Sequence, residues 1–184
     1  MKNTISQRVA DFLKNYPPFN GLNTSDLEQL SEQVSIIYKE KGSVIFTEKE
    51  EGHSFFYLVH KGAVSLYKKT SNDIVDICDE GDIFGLRPLM ANENYELEAR
   101  AHEESIIYAI PIALFKPLAL ENKVVGNFLI ESFASNTRNP YSKIHRGKLY
   151  SEVSLDVPKE GNEIPLTDLQ SVQYSKNIVS CSPA

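Results

Sequence analysis

The chain has 184 residues, 41% of them hydrophobic, and a formal net charge of −6. That suffices for one domain of ordinary size with a single core, plus a tail. The acidic balance argues against a general nucleic-acid binder, which neutralises phosphates with clustered Lys and Arg; Arg138, Lys143, Arg146 and Lys148 are spaced apart in a stretch that reads as a linker.

Met1-Lys2-Asn3 leads into a polar amphipathic stretch, so no secretory leader is expected. The most apolar run, residues 106–115, is broken by Pro111 and falls short of the about 20 residues that a membrane helix needs. Cys78 and Cys181 suggest no disulfide framework, and Cys78 sits in an apolar run as a small core residue would. A cytoplasmic protein without nucleic-acid or membrane contact is expected.

Two short helices open the chain. Ile5, Val9, Phe12 and Leu13 fall at helical spacing until Asn15-Tyr16-Pro17-Pro18 stops them, and Thr24 or Ser25 is positioned to cap a second helix bearing Leu27 and Leu30. From Ser35 the period becomes two. Short β-rich runs at 36–38, 44–46, 55–59, 64–67 and 74–77 are separated by Gly42, Gly52, Gly62, Ser71-Asn72-Asp73 and Gly81. Ile83-Phe84-Gly85 then leads into a segment too short for a full helix, and strands at 96–102 and 105–110 follow. Many short strands at this spacing predict an antiparallel β-barrel or jelly roll with flanking helices. Leu114, Phe115 and Leu118 mark one later helix; Val124, Val125, Phe128, Leu129 and Phe133 mark a longer amphipathic one. The resulting division is 1–34 N-terminal helices, 35–111 barrel, 112–138 C-terminal helices, 139–165 linker and 166–184 the start of a further domain.

The pattern Gly42-x-Val44-Ile45-Phe46, Glu51-Gly52, Phe56-Tyr57-Leu58-Val59-x-x-Gly62-x-Val64-x-Leu66 and Glu80-Gly81-Asp82-x-Phe84-Gly85 resembles the cyclic-nucleotide-binding domain family. The resemblance spans residues 10–138 and implies an eight-stranded barrel. It also implies a pocket where Phe84-Gly85 leads into a short turn: a glycine lets backbone approach the cyclic phosphate, and free amides then face the anion. Family members add a glutamate directly after the Phe-Gly pair for the ribose hydroxyl, and a later arginine for the phosphate.

This chain departs at both places. Leu86 stands at the glutamate position and, counted without gaps, Tyr95 at the arginine position, flanked by Glu96 and Glu98. Losing two charged hydrogen bonds removes about 3–6 kcal/mol, so any nucleotide is expected to bind weakly and no cofactor is assigned. The pocket candidates are Phe84, Gly85, Leu86, Arg87, Pro88, Leu89, Tyr95 and Glu98. Arg87 stands where it could replace the missing cation, against a reading in which it meets solvent or a carboxylate. Arg100 alternates with Ala99 and Ala101 and is expected to face outward, and Tyr95 is expected to pack in its loop or to stack on a base.

Pro17-Pro18-Phe19, Gly85-x-Arg87-Pro88-Leu89, Tyr95 and Ile110-Pro111 look like the amino-terminal sensor of bacterial signalling proteins that continue into CBS domains and a nucleotidyltransferase-like region. Leu169 and residues 178–184 resemble the opening of a CBS repeat. The expected partners are therefore the chain's own downstream domains and a second copy. His53, His60, His102 and His145 are scattered and read as surface or turn residues rather than a metal site. The acidic turns 48–51 and 79–82 read as solvated corners, and no nucleophile motif is present. A regulatory module, not an enzyme, is expected. The alternatives are a docking barrel without a small-molecule ligand and the sensor of a transcription regulator, for which a basic recognition helix is missing.

Overall fold

A computed structural model describes residues 3–48 and 54–135. Residues 136–184, with the expected linker and the CBS-like segment, lie outside the described residues.

Helix α1 (Thr4–Leu13) starts at Asn3, whose side chain accepts from the Ile5 amide, and buries Val9, Ala10 and Leu13. After a cis Pro17–Pro18 bond and a single 3-10 turn, α2 (Thr24–Glu32) begins. Its cap is Asn23, which accepts from the Asp26 amide at 2.9 Å, rather than Thr24 or Ser25. Strands β1 (Ser35–Lys39), β2 (Val44–Phe46), β3 (Phe55–Lys61), β4 (Val64–Lys68), β5 (Asp73–Cys78) and β6 (Ile83–Phe84) follow. Helix α3 (Leu86–Met90) interrupts them before β7 (Glu98–Ala101) and β8 (Ser105–Pro111), and α4 (Ile112–Glu121) and α5 (Lys123–Ser135) complete the order.

The strands form two four-stranded antiparallel sheets, β1-β8-β3-β6 and β2-β7-β4-β5. The expected barrel is thus an open jelly-roll sandwich: among the described residues no ladder joins the two sheets. The alternation along β3 explains the layering. Phe56, Leu58 and His60 point to one face, where Phe56 meets Phe19 and Phe115 and His60 meets Phe12 and Tyr108. The helices therefore cover that face. Tyr57 and its register partner Phe84 stack with ring centroids 5.4 Å apart on the other face. Asn122 ties the C-terminal helices to the N-terminal turn, donating to the Gly21 carbonyl at 2.9 Å while accepting from the Val124 and Val125 amides.

Two polar expectations change on folding. His60 is not a surface histidine: it stacks on Tyr108 at 4.8 Å and meets the Phe12 ring edge-on at 4.4 Å, because period two brings it to the helix-covered face. Asp82 is not solvated either. It is 3% exposed and holds its turn by accepting from the Asp79 amide at 2.8 Å.

Candidate functional site

Gly85 adopts a left-handed conformation, φ +78°, immediately before α3. A side chain there is strained, and a Cβ would lie 3.3 Å from the Tyr95 ring and 3.4 Å from the Phe46 ring. The backbone therefore makes the tight entry that the family resemblance implies. What stands beside it is aromatic rather than cationic.

Tyr95 is 2% exposed and its ring stacks on Phe46 with centroids 3.7 Å apart and planes 23° apart. Its hydroxyl donates to the Phe55 carbonyl at 2.6 Å, which holds the ring at both ends. Phe46 also lies 5.6 Å from Tyr57 and 6.0 Å from Phe84. The cavity left between Phe46, Leu66, Gly85, Pro88, Tyr95, Glu96 and Leu97 is about 30 Å³, room for one water. Sites for small organic ligands run to about 300–1,000 Å³. A roomier groove of about 650 Å³ lies between α4 and the loop after α3, lined by Leu89, Asn92, Lys116 and Leu120 among others. Neither Gly85 nor Tyr95 lines it, so it is not the place to which the family resemblance points.

The pocket candidates therefore separate. Gly85, Pro88 and Tyr95 line the small cavity, and Phe84 packs against Phe46 beside it. Leu86 is buried in the core at 1% exposure, and Leu89 lines the other groove. Arg87 is half-buried and its guanidinium is turned to α5. Its Nη1 donates to the Phe133 carbonyl at 3.3 Å and its guanidinium lies 5.3 Å above the Phe133 ring.

Glu98 is also displaced from the pocket. It opposes Tyr67 on β4, whereas the next residue, Ala99, opposes the buried Leu66. Glu98 thus belongs to the outer face of β7, where it accepts from Arg100 Nε at 2.6 Å and from Nη2. Arg100 faces outward as expected and lies 4.9 Å over the Tyr67 ring. Beside it Ser65 Oγ and His102 Nδ1 share a hydrogen bond of 2.8 Å.

Sequence reasoning missed Phe46 and Tyr57 as occupants of the site, and Phe133 as the partner of Arg87. The alternation in 44–46 and 55–59 put an aromatic ring on each strand, but not on which side of it.

The eight strands, the α3 turn after Phe-Gly and the helices on one face define a cyclic-nucleotide-binding fold. Residues 37–122 match the model of the cyclic nucleotide-binding domain, and that part of the chain belongs to this family. The chain is 25% identical over 163 residues to a cAMP-dependent protein kinase regulatory subunit of Candida albicans, covering 88% of this chain and 35% of that protein. It thus spans about a third of that relative's length. Among solved structures, the regulatory subunit of a cAMP-independent protein kinase A from Trypanosoma brucei superposes with TM-score 0.64 at 21% identity, over 74% of this chain and 48% of that one. The sensor domain of the transcriptional regulator DNR from Pseudomonas aeruginosa superposes with TM-score 0.63 at 19% identity, over 76% and 99%. At these identities the structural likeness is one of fold.

Proposed function

We propose that this domain is a regulatory module of the cyclic-nucleotide-binding type whose nucleotide seat is filled by its own aromatic side chains. It acts on a downstream part of a longer signalling protein. The observation that carries the reading is Tyr95, locked between Phe46 and the Phe55 carbonyl beside Gly85, with about 30 Å³ left over. Leu86 at the glutamate position and Arg87 turned to α5 support it, because no acceptor for a ribose hydroxyl and no cation for a phosphate reach the cavity from these positions. Stacking against Phe46 and the hydroxyl bond must both be lost before a ligand enters.

Isothermal titration of the full chain with cyclic AMP and with cyclic GMP tests this. No binding tighter than about 100 µM is expected, from the two lost charged bonds. A low-micromolar constant for either nucleotide overturns the filled-seat reading.

A second reading, a docking module without any small-molecule ligand, is favoured by the apolar side chains that α4 and α5 leave exposed, Leu120 at 74%, Val124 at 64% and Ile130 at 67%. The kinship with CBS-domain signalling proteins, the cytoplasmic setting and a partner among the chain's own later domains belong to the proposal. No helix among the described residues is long and apolar enough to cross a membrane.

A further inference from the structure

We propose that His60 makes the seating of α1 on the β1-β8-β3-β6 sheet sensitive to acid, so that the proton is an input to this module independent of any nucleotide. The ring lies between two aromatic neighbours. It stacks on Tyr108 with centroids 4.8 Å and planes 10° apart, and Phe12 of α1 meets it at 4.4 Å with planes 76° apart. Phe12 closes the same cluster onto Tyr108 at 5.6 Å and onto Tyr16 at 4.8 Å. Among the described residues, Nδ1 of His60 is shielded from solvent and has no hydrogen-bond partner. A neutral imidazole leaves that nitrogen as a bare acceptor, with its one N–H on Nε2. Protonation puts an N–H on both nitrogens, and the one on Nδ1 then has nowhere to donate.

The charged groups around the ring do not remove that cost. Glu80, in the turn before β6, attracts an imidazolium but does not reach Nδ1, and it accepts from the Tyr16 hydroxyl at 3.4 Å. Lys61, the next residue of β3, repels it. On α1, Arg8, Asp11 and Lys14 are exposed, and Asp11 pairs with Lys14 at 2.8 Å. On β8, burial raises the Tyr108 hydroxyl above its ordinary value, so that ring stays neutral. Burial is the strongest influence on His60 and holds its pKa below the ordinary 6.5. Relief must therefore come from movement. Tyr108 is fixed by ladders to β1 and β3, whereas no backbone hydrogen bond ties α1 to a strand among the described residues. Lifting the Phe12 end of α1 is thus the smallest opening that hydrates Nδ1. This inference does not rest on the filled-seat reading.

Hydrogen exchange of the full chain tests it, followed by mass spectrometry from about pH 8 to about pH 5 and corrected for the intrinsic pH dependence of exchange. An undocked ring is hydrated and titrates near 6.5, whereas the docked ring titrates lower. The open form of α1 therefore gains population as pH falls below 6.5, by up to about tenfold per pH unit, and the gain stops below the docked-state pKa. Peptides covering Val9 to Lys14 are expected to show this, with β4 and β7 unchanged. Flat protection of α1 across the range overturns the proposal. So does a parallel loss in β4 and β7, which makes the loosening global. His60→Gln retains a polar side chain that does not titrate and is expected to abolish the pH response of α1. Should it fail to fold, seen as lost protection in β4 and β7 at the highest pH, His60→Phe takes its place, keeping a ring against Tyr108. A pH response of α1 that survives in the folded variant overturns the proposal. An NMR titration of the native chain is independent of any variant: a His60 pKa at or above 6.5 also overturns it.

Discussion

The two faces of β7 differ more than their sequence separation suggests. On the inner side Leu97 and Ala99 continue the apolar face of Tyr95, Phe46 and Leu66, and the cavity there, which Glu96 also lines, has a volume of about 30 Å³. On the outer side Glu98 and Arg100 pair with each other, and Arg100 lies over Tyr67. The family resemblance places its arginine at Tyr95, before β7; the arginine that β7 itself carries is Arg100. A shift of a single residue decides which face it serves, because side chains alternate along a strand. Arg100 therefore neutralises a carboxylate of its own chain, and the pocket keeps its aromatic filling.

The largest effect should come from emptying the inner side. Tyr95→Ala is expected to lower the unfolding free energy by about 3–5 kcal/mol, the usual cost of deleting a buried aromatic ring. Urea denaturation measures it; a cost under about 1 kcal/mol would show that the ring is not packed as a core residue. Tyr95→Phe, which loses only the bond to the Phe55 carbonyl, should cost about 1 kcal/mol.

On the outer side, Glu98→Ala removes a buried partner of Arg100 and should cost about 1.5–3 kcal/mol. Since Glu98 is nearly inaccessible, the loss should change little between low and high salt. A double-mutant cycle with Arg100→Ala isolates the pair. Coupling near zero would mean that the outer face is merely solvated charge.

Gly85→Ala probes the junction between pocket and turn. The left-handed backbone alone costs about 1–2 kcal/mol for a residue with a Cβ. The new methyl also presses on Tyr95 and Phe46, so the penalty should shrink when Gly85→Ala is combined with Tyr95→Ala. Full additivity of the two changes would show that the ring and the glycine do not meet.

The smallest effect extends the comparison to the other sheet, where His60 is the polar residue on a covered face. Burial among Phe12 and Tyr108 pushes its imidazole below the ordinary value of 6.5; Glu80 opposes this and Lys61 adds to it. A depressed pKa means that the unfolded chain takes up the proton first. The contribution of neutral His60 is thus fully present above pH 6.5 and is lost as pH falls from there through the folded-state pKa. His60→Gln should flatten the fall in unfolding midpoint between neutral and mildly acid pH. An identical slope in the variant would place the acid sensitivity elsewhere.

Much of this was legible in the residues. Period-two runs with glycine punctuation gave the order of strands, and the family resemblance set Leu86 and Tyr95 at the positions of its glutamate and arginine. The helix-forming stretches at 4–13 and 123–135 were equally plain, because their apolar spacing is local. Asn23 escaped as a cap because Thr24 and Ser25 beside it are as well suited by type, and only backbone geometry chooses between them.

What tertiary structure alone decided concerns contacts between residues far apart in the chain. Alternation says that Glu98 and Arg100 share a face, but the pairing of Ala99 with Leu66 makes that face the outer one. Whether eight strands close into a barrel depends on ladders between sheets, and here they remain two sheets. Tyr95 reaches back 40 residues to the Phe55 carbonyl, and Arg87 reaches forward 46 to Phe133. Local pattern reports the conformation a segment prefers; it carries no information about which distant carbonyl a hydroxyl or a guanidinium will find once the core has packed.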